Sequence, residues 1–112
     1  MTLAELRKSI GDDLETELNH MPSFDRQILD IKVKDAVRDV MNKRGYAGAG
    51  YNMLMIEDDI ERFYPQIKAL AEYDYLMRGA TGESYHYEGG TNRTWIDRRR
   101  LYNGIIPLAS II

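Results

Sequence analysis

The stretch Asp25-Arg26-Gln27-Ile28-Leu29-Asp30-Ile31-Lys32-Val33-Lys34-Asp35-Ala36-Val37-Arg38-Asp39-Val40-Met41-Asn42-Lys43-Arg44-Gly45 decides the fold class. Ile28, Leu29, Val33, Ala36, Val37, Val40 and Met41 recur at helical intervals and form an apolar face of the width a core-facing helix needs. Ser23 or Asp25 can cap its start. Lys43 and Arg44 stand in the last turn, where cations suit the helix dipole, and Gly45 is a natural residue just past the end. The spacing predicts a helix from Asp25 to Arg44.

Working outward, His20-Met21-Pro22-Ser23 is a break, because Pro22 disfavours helix at Met21. Before it, Thr2 and Glu5 have the spacing of a capping box, and Leu3, Leu6, Ile10, Leu14 and Leu18 follow at helical intervals. Gly11 costs about 1 kcal/mol in a helix interior. This predicts a helix from Leu3 to Ile10, with a continuation to Leu18 open. After Gly45, the glycine-rich run Tyr46–Asn52 reads as a flexible loop. A third helix is expected near Met55, with Ile56, Ile60 and Phe63 on one face and Glu57, Asp58, Asp59 and Glu61 opposite. Pro65 either kinks this helix or opens a fourth at its N1 position; the fourth stretch runs to Arg78, with Gly79 ending it.

At Ala80 the character changes. Ser84–Glu88 alternates like a strand, Gly89-Gly90 suits a tight turn, and Thr91–Trp95 can return as a second strand. A hairpin of this kind needs a surface or a neighbour, since an isolated one is marginal in water. Asp97 can cap a short helix through Tyr102, closed by Gly104. The end, Ile105–Ile112, is apolar where a free terminus is normally polar and frayed. The expectation is a mainly α chain. Residues 1–80 form a small bundle of four to five helices. Residues 81–112 carry a protruding hairpin or loop, a short helix and an extended C-terminal tail, within a single domain overall.

Composition narrows the function classes. The formal net charge of -3 argues against a protein whose main task is gripping nucleic-acid phosphates. The chain has no cysteine, which excludes disulfides and thiolate metal sites and fits an intracellular chain. No apolar run approaches the roughly 20 residues of a membrane span, and Met1–Glu5 lacks the pattern of a signal peptide.

Candidate chemistry is thin. His20 and His86 have no neighbours that make a triad or a metal pair. Glu57-Asp58-Asp59-x-Glu61 lacks the alternating spacing and glycine of a calcium loop and reads as a solvated helix start. Gly45-x-x-Gly48-x-Gly50 lacks the Lys-Ser/Thr ending of a phosphate loop. Neither a catalytic residue nor a cofactor or metal is expected. The strongest local feature is Trp95 followed by Arg98-Arg99-Arg100. It suits base stacking with phosphate neutralisation, docking onto an acidic protein patch, or a packed indole beside a solvated basic turn. Tyr46, Tyr51, Tyr85, Tyr87 and Tyr102 fall in loop, hairpin or tail positions, where tyrosine offers rigid amphipathic contact area.

The order of these features has a parallel. From Gly79 to Trp95 the chain reads Gly-x-x-Gly-Glu-Ser-x-x-x-Glu-Gly-Gly-x-x-Arg-Thr-Trp, and after a short helix it continues as Leu101-x-x-Gly-Ile-Ile-Pro-Leu-Ala. Behind a helical bundle with a glycine-rich loop, this resembles the head–tail connector (adaptor) proteins of long-tailed bacteriophages and their prophages. The likeness covers nearly the whole chain in element order, and its sequence-specific part is confined to about Gly79–Ile112.

The resemblance implies a structural, non-enzymatic ring subunit. It would be made in the bacterial host cytoplasm and placed in the virion neck beneath the portal. Copies would meet through heterologous contacts, tail-completion or stopper proteins would dock below, and DNA would pass through without specific binding. The hairpin Ser84–Trp95 would reach a neighbouring subunit, through Tyr85, Tyr87, Arg93 and Trp95; the turn that joins it to the tail, Arg98, Arg99 and Arg100, is a further expected partner contact. The tail would engage the portal or an adjacent copy through Ile105, Ile106, Leu108, Ile111 and Ile112. The competing expectation is a small helical nucleic-acid-binding regulator that uses Trp95 and Arg98–Arg100.

Overall fold

A computed structural model describes residues 1–77, 100–102 and 104–108. The described chain is mainly helical: α1 (Leu3–Leu18), α2 (Arg26–Arg44), α3 (Tyr46–Ala49), α4 (Met53–Ile60), a 3-10 turn (Glu61–Phe63) and α5 (Tyr64–Met77). No strand occurs among the described residues. The hairpin expected over Ser84–Trp95 lies outside them, as does the short helix start at Asp97.

The capping box at Thr2 and Glu5 is formed. The Glu5 N–H donates to the Thr2 hydroxyl at 3.1 Å, and the Thr2 N–H donates back to the Glu5 carboxylate at 2.7 Å. These reciprocal bonds hold the Glu5 carboxyl below its usual value. The helix does not stop at Ile10; it runs on through Gly11 to Leu18. Packing explains the glycine. A methyl at Gly11 would sit 2.7 Å from the Arg26 guanidinium and 3.1 Å from the Asp30 carboxylate. The missing side chain lets Arg26 cross α1 and meet Asp12, Glu15 and Asp30 at 3.0, 3.1 and 2.7 Å.

Asp25 caps α2 through bonds from the Gln27 and Ile28 amides, and Gly45 closes it in the left-handed conformation at φ 72°. The Asp25 amide itself donates to the hydroxyl of Tyr75 at 2.7 Å. Tyr75 is fully buried on α5, so this bond fixes the start of α2 against that helix. Two differences from the expected pattern follow. The Tyr46–Asn52 run is not a free loop: α3 makes one turn between the left-handed glycines Gly45 and Gly50, and Tyr46 turns into the core. Pro65 stands second in α5, directly after the 3-10 turn. Its missing N–H costs nothing in the first turn of a helix.

α1, α2 and α5 pack against one another, and α2 shares its larger contact with α5. The core joins Leu6, Ile10 and Leu14 of α1 to Leu29, Val33, Ala36 and Val40 of α2, and to Ile67, Leu70 and Tyr75 of α5. Each of the larger aliphatic side chains among them contributes about 1.5–3 kcal/mol by burial. On the outer rim Lys68 pairs with Glu17 at 2.6 Å, and the Tyr64 hydroxyl meets Ser9 and Asp13. These contacts line up α5 along α1.

Ile105 and Leu108 also belong to this core, at 3% and 8% exposure. The expectation of two side chains free for a partner is corrected here. They pack on the chain's own bundle, and between them Ile106 stands 52% exposed.

Candidate functional site

The C-terminal segment is held at one place, and that place is polar. Arg44, in the last turn of α2, is 4% exposed. A buried guanidinium is tolerated only when its donors are matched. Its Nε and Nη2 donate to the two carboxylate oxygens of Asp59 on α4, each at 2.9 Å. Its Nη1 donates to the backbone carbonyl of Ile106 at 2.7 Å. The phenyl ring of Phe63 lies beneath it, 5.1 Å from the guanidinium carbon.

Asp59 is 8% exposed and accepts two further bonds, from the Tyr46 hydroxyl at 2.7 Å and from Arg62 at 3.0 Å. Burial pushes the Asp59 carboxyl up, but the Tyr46 hydrogen bond and the neighbouring guanidinium charges outweigh burial and hold it below its ordinary value. The Tyr46 hydroxyl is driven the other way by its burial and by the carboxylate it serves. The cluster is therefore an ionised Arg–Asp pair with a neutral phenol. It has no proton poised to move near neutral pH. Its geometry joins α2, α3, α4 and the C-terminal segment at one point, which is the task of a structural clasp.

Arg44 stands in the last turn of α2, as the spacing predicts, but it is buried there. Asp59, expected in a solvated acidic run, is corrected: with Arg44 it forms the most deeply buried ion pair among the described residues. Asp58 stays exposed. Glu57 is half-buried and accepts from the Leu3 amide at 3.3 Å, and Glu61 lies 3.8 Å from the N-terminal ammonium. The run is thus divided between a core anchor and a rim along the start of α1.

α4 carries a second feature that the sequence reading leaves out. Its first turn, capped by Asn52, presents Met53, Leu54 and Met55 at 54%, 77% and 45% exposure. Three consecutive exposed apolar residues are unusual on a small soluble chain and mark contact surface. Between α1 and α2, on residues of the bundle, runs a groove of about 280 Å³ lined by Leu3, Arg7, Lys34, Val37, Arg38 and Met41. It continues into a second hollow of about 350 Å³ that shares Arg7 and Lys34.

Of the expected contact residues, Arg100 is exposed, Ile106 is exposed, and Ile105 and Leu108 are core. Tyr85, Tyr87, Arg93, Trp95, Arg98, Arg99, Ile111 and Ile112 lie outside the described residues. Gly104 takes φ 89° and turns the chain, with the Ile105 amide bonded to the Tyr102 carbonyl at 3.0 Å. Among the described residues no group of His, Asp and Glu is arranged to hold a metal ion, and no helix is long and apolar enough to cross a membrane.

No family model, curated protein or solved structure matches the chain.

Proposed function

We propose that this chain is a structural head–tail connector subunit of a long-tailed phage or prophage, assembling as a ring beneath the portal and offering a docking surface to tail-completion proteins. The observation that carries the reading is the run Gly79–Trp95 followed by Leu101-x-x-Gly104-Ile105-Ile106-Pro107-Leu108-Ala109, in a chain whose described residues are mainly helical. The reading assigns no catalysis, cofactor or metal to the chain, and it puts the protein in the virion neck.

The clasp at Arg44 supports this reading and alters one part of it. A connector has to deliver its C-terminal arm from a defined point, and Arg44 holds the Ile106 carbonyl at 2.7 Å. With Ile105 and Leu108 turned inward, the contact with the portal falls to Ile106 and to the residues after Leu108. The exposed turn Met53–Met55 is further apolar surface of the kind an assembly subunit carries.

Size-exclusion chromatography with light scattering, run on the full chain with and without the portal protein of the same genome, tests the proposal. A complex of one defined stoichiometry is expected. If the two proteins elute apart at micromolar concentration, the connector reading is wrong. Portal, capsid and tail-completion genes beside this one are the corresponding genomic expectation.

A further inference from the structure

Two surfaces of the bundle are complementary in both shape class and charge. The first is the knob at the start of α4, where Met53, Leu54 and Met55 project into solvent. Its flank carries one exposed carboxylate, Asp58, one turn beyond Leu54; Glu57 accepts from the Leu3 amide and Glu61 faces the N-terminal ammonium of the same chain. The second is the α1–α2 groove of about 280 Å³. Its floor is apolar, made of Leu3, Val37 and Met41, and its rim is cationic, made of Arg7, Lys34 and Arg38.

Among the described residues those three cations have no carboxylate within ion-pair distance. In this they differ from Arg26, Arg44 and Lys68. Among the described residues nothing covers the knob or the groove, so each can be filled by another copy.

We propose that the α4 knob of one copy seats in the α1–α2 groove of a second copy, with Leu54 and its methionines on the apolar floor and Asp58 toward Lys34 and Arg38. Methionine suits such a contact, because its unbranched side chain adapts to an irregular floor. Surface ion pairs add little affinity but fix orientation and exclude wrong partners. The apolar knob therefore supplies the affinity and the charges set the register. The inference rests on the reading of the chain as a self-assembling subunit and names the contact by which copies meet.

Sedimentation velocity on the full chain over a concentration series tests it with three proteins: wild type, Asp58→Lys, and Lys34→Glu/Arg38→Glu. The wild type is expected to self-associate. Each variant alone has matching charges on knob and groove and is expected to associate at least about tenfold more weakly, while a 1:1 mixture, with opposite charges at both kinds of mixed knob–groove contact, regains the association. A mixture no stronger than its components overturns the proposal, and so does a wild type that stays monomeric throughout. All substituted positions are on the surface, and circular dichroism checks the fold.

A second measurement does not depend on charge. The chain has no cysteine, so Leu54→Cys and Arg38→Cys proteins mixed in equal amounts in a thiol redox buffer should form the mixed disulfide between the two variants well beyond the share that random pairing gives. A purely statistical distribution of the three dimers speaks against the contact. Duplex DNA supplies the remaining arm. If Lys34→Glu/Arg38→Glu loses salt-sensitive DNA binding while self-association persists, the groove reads phosphate and the proposal fails. Charge variants without effect, beside an intact portal complex, would defeat this interface and leave the connector reading standing. Loss of the portal complex with the charge effect intact would do the reverse.

Discussion

Replacing Asp59 by asparagine should be among the most damaging single polar substitutions in the chain. Asp59 supplies both acceptors for the Nε and Nη2 of Arg44, and Arg44 is 4% exposed. Asparagine keeps the shape but removes the charge, and its amide nitrogen turns a donor toward donors that already point inward. Breaking a buried ion pair from one side costs about 3–5 kcal/mol, because the surviving charge is left unmatched. A small domain has about 5–15 kcal/mol in total. The variant should therefore lose about a fifth or more of its stability, with a fall in Tm of about 10 °C or more. Urea unfolding followed by helical circular dichroism measures this directly.

The double variant Arg44→Met/Asp59→Leu separates charge from packing. Replacing a buried pair by apolar side chains of similar size is often neutral or stabilising, so it should recover most of the loss. It cannot restore the bond to the Ile106 carbonyl. Amides of Ile105, Ile106 and Leu108 should then exchange faster than in the wild type even though overall stability is regained. An Asp59→Asn protein within about 1 kcal/mol of wild type would refute the reasoning. It would mean that Arg44 reaches water or another acceptor, and that the clasp does not hold the segment.

The remaining expectations are these. Because the Asp59 carboxyl is held below its unfolded value, its contribution is complete above about pH 4 and is lost as pH falls through its lower folded value; acid titration of stability should show that flank, and Asp59→Asn should flatten it. Tyr75→Phe leaves the Asp25 amide without its partner at 2.7 Å and should cost about 1–3 kcal/mol, seen as a lower urea midpoint at unchanged slope. Leu108→Ala should release the segment, seen as faster amide exchange at Ile105, Ile106 and position 108 with a loss of global stability of no more than about 1 kcal/mol, whereas Ile106→Ser, at an exposed side chain, should leave that exchange unchanged; equal effects at the two positions would contradict the placement of the segment.

Much of the helical frame is legible in the sequence because its signals are local. The Thr2–Glu5 box, the Asp25 cap and Gly45 each act within a few residues of where they stand, and the apolar face of α2 is periodic along its whole length. The misreadings share a cause, which is that the deciding partner is distant along the chain. Gly11 looks like a helix breaker until Arg26 is seen to need its space. Asp58 and Asp59 are indistinguishable in the sequence; only the fold turns the second toward Arg44, fifteen residues away. Gly45 and Gly50 mark Tyr46–Asn52 as a loop, yet burial of the Tyr46 ring against the bundle organises it as a turn of helix. Composition alone reads the tail as a free apolar arm. The spacing of Ile105 and Leu108, three apart with Ile106 between, is the available sign that the two side chains share one face. Of the interaction surface, Met53–Met55 is visible as three apolar residues in a row, but only the fold shows how far they stand out from the bundle.

The segment Ile105–Leu108 also has a consequence for exchange between partners. Ordering its four backbone residues costs about 4–8 kcal/mol, at roughly 1–2 for each. Against this stand one charge-assisted bond from Arg44, worth about 1.5–3 kcal/mol, and two buried side chains at about 1.5–3 kcal/mol each. The two sides nearly cancel. The bundle thus keeps this segment on a narrow margin, and any surface that offers Ile105 and Leu108 equal cover can draw it outward without first unfolding the helices that hold it.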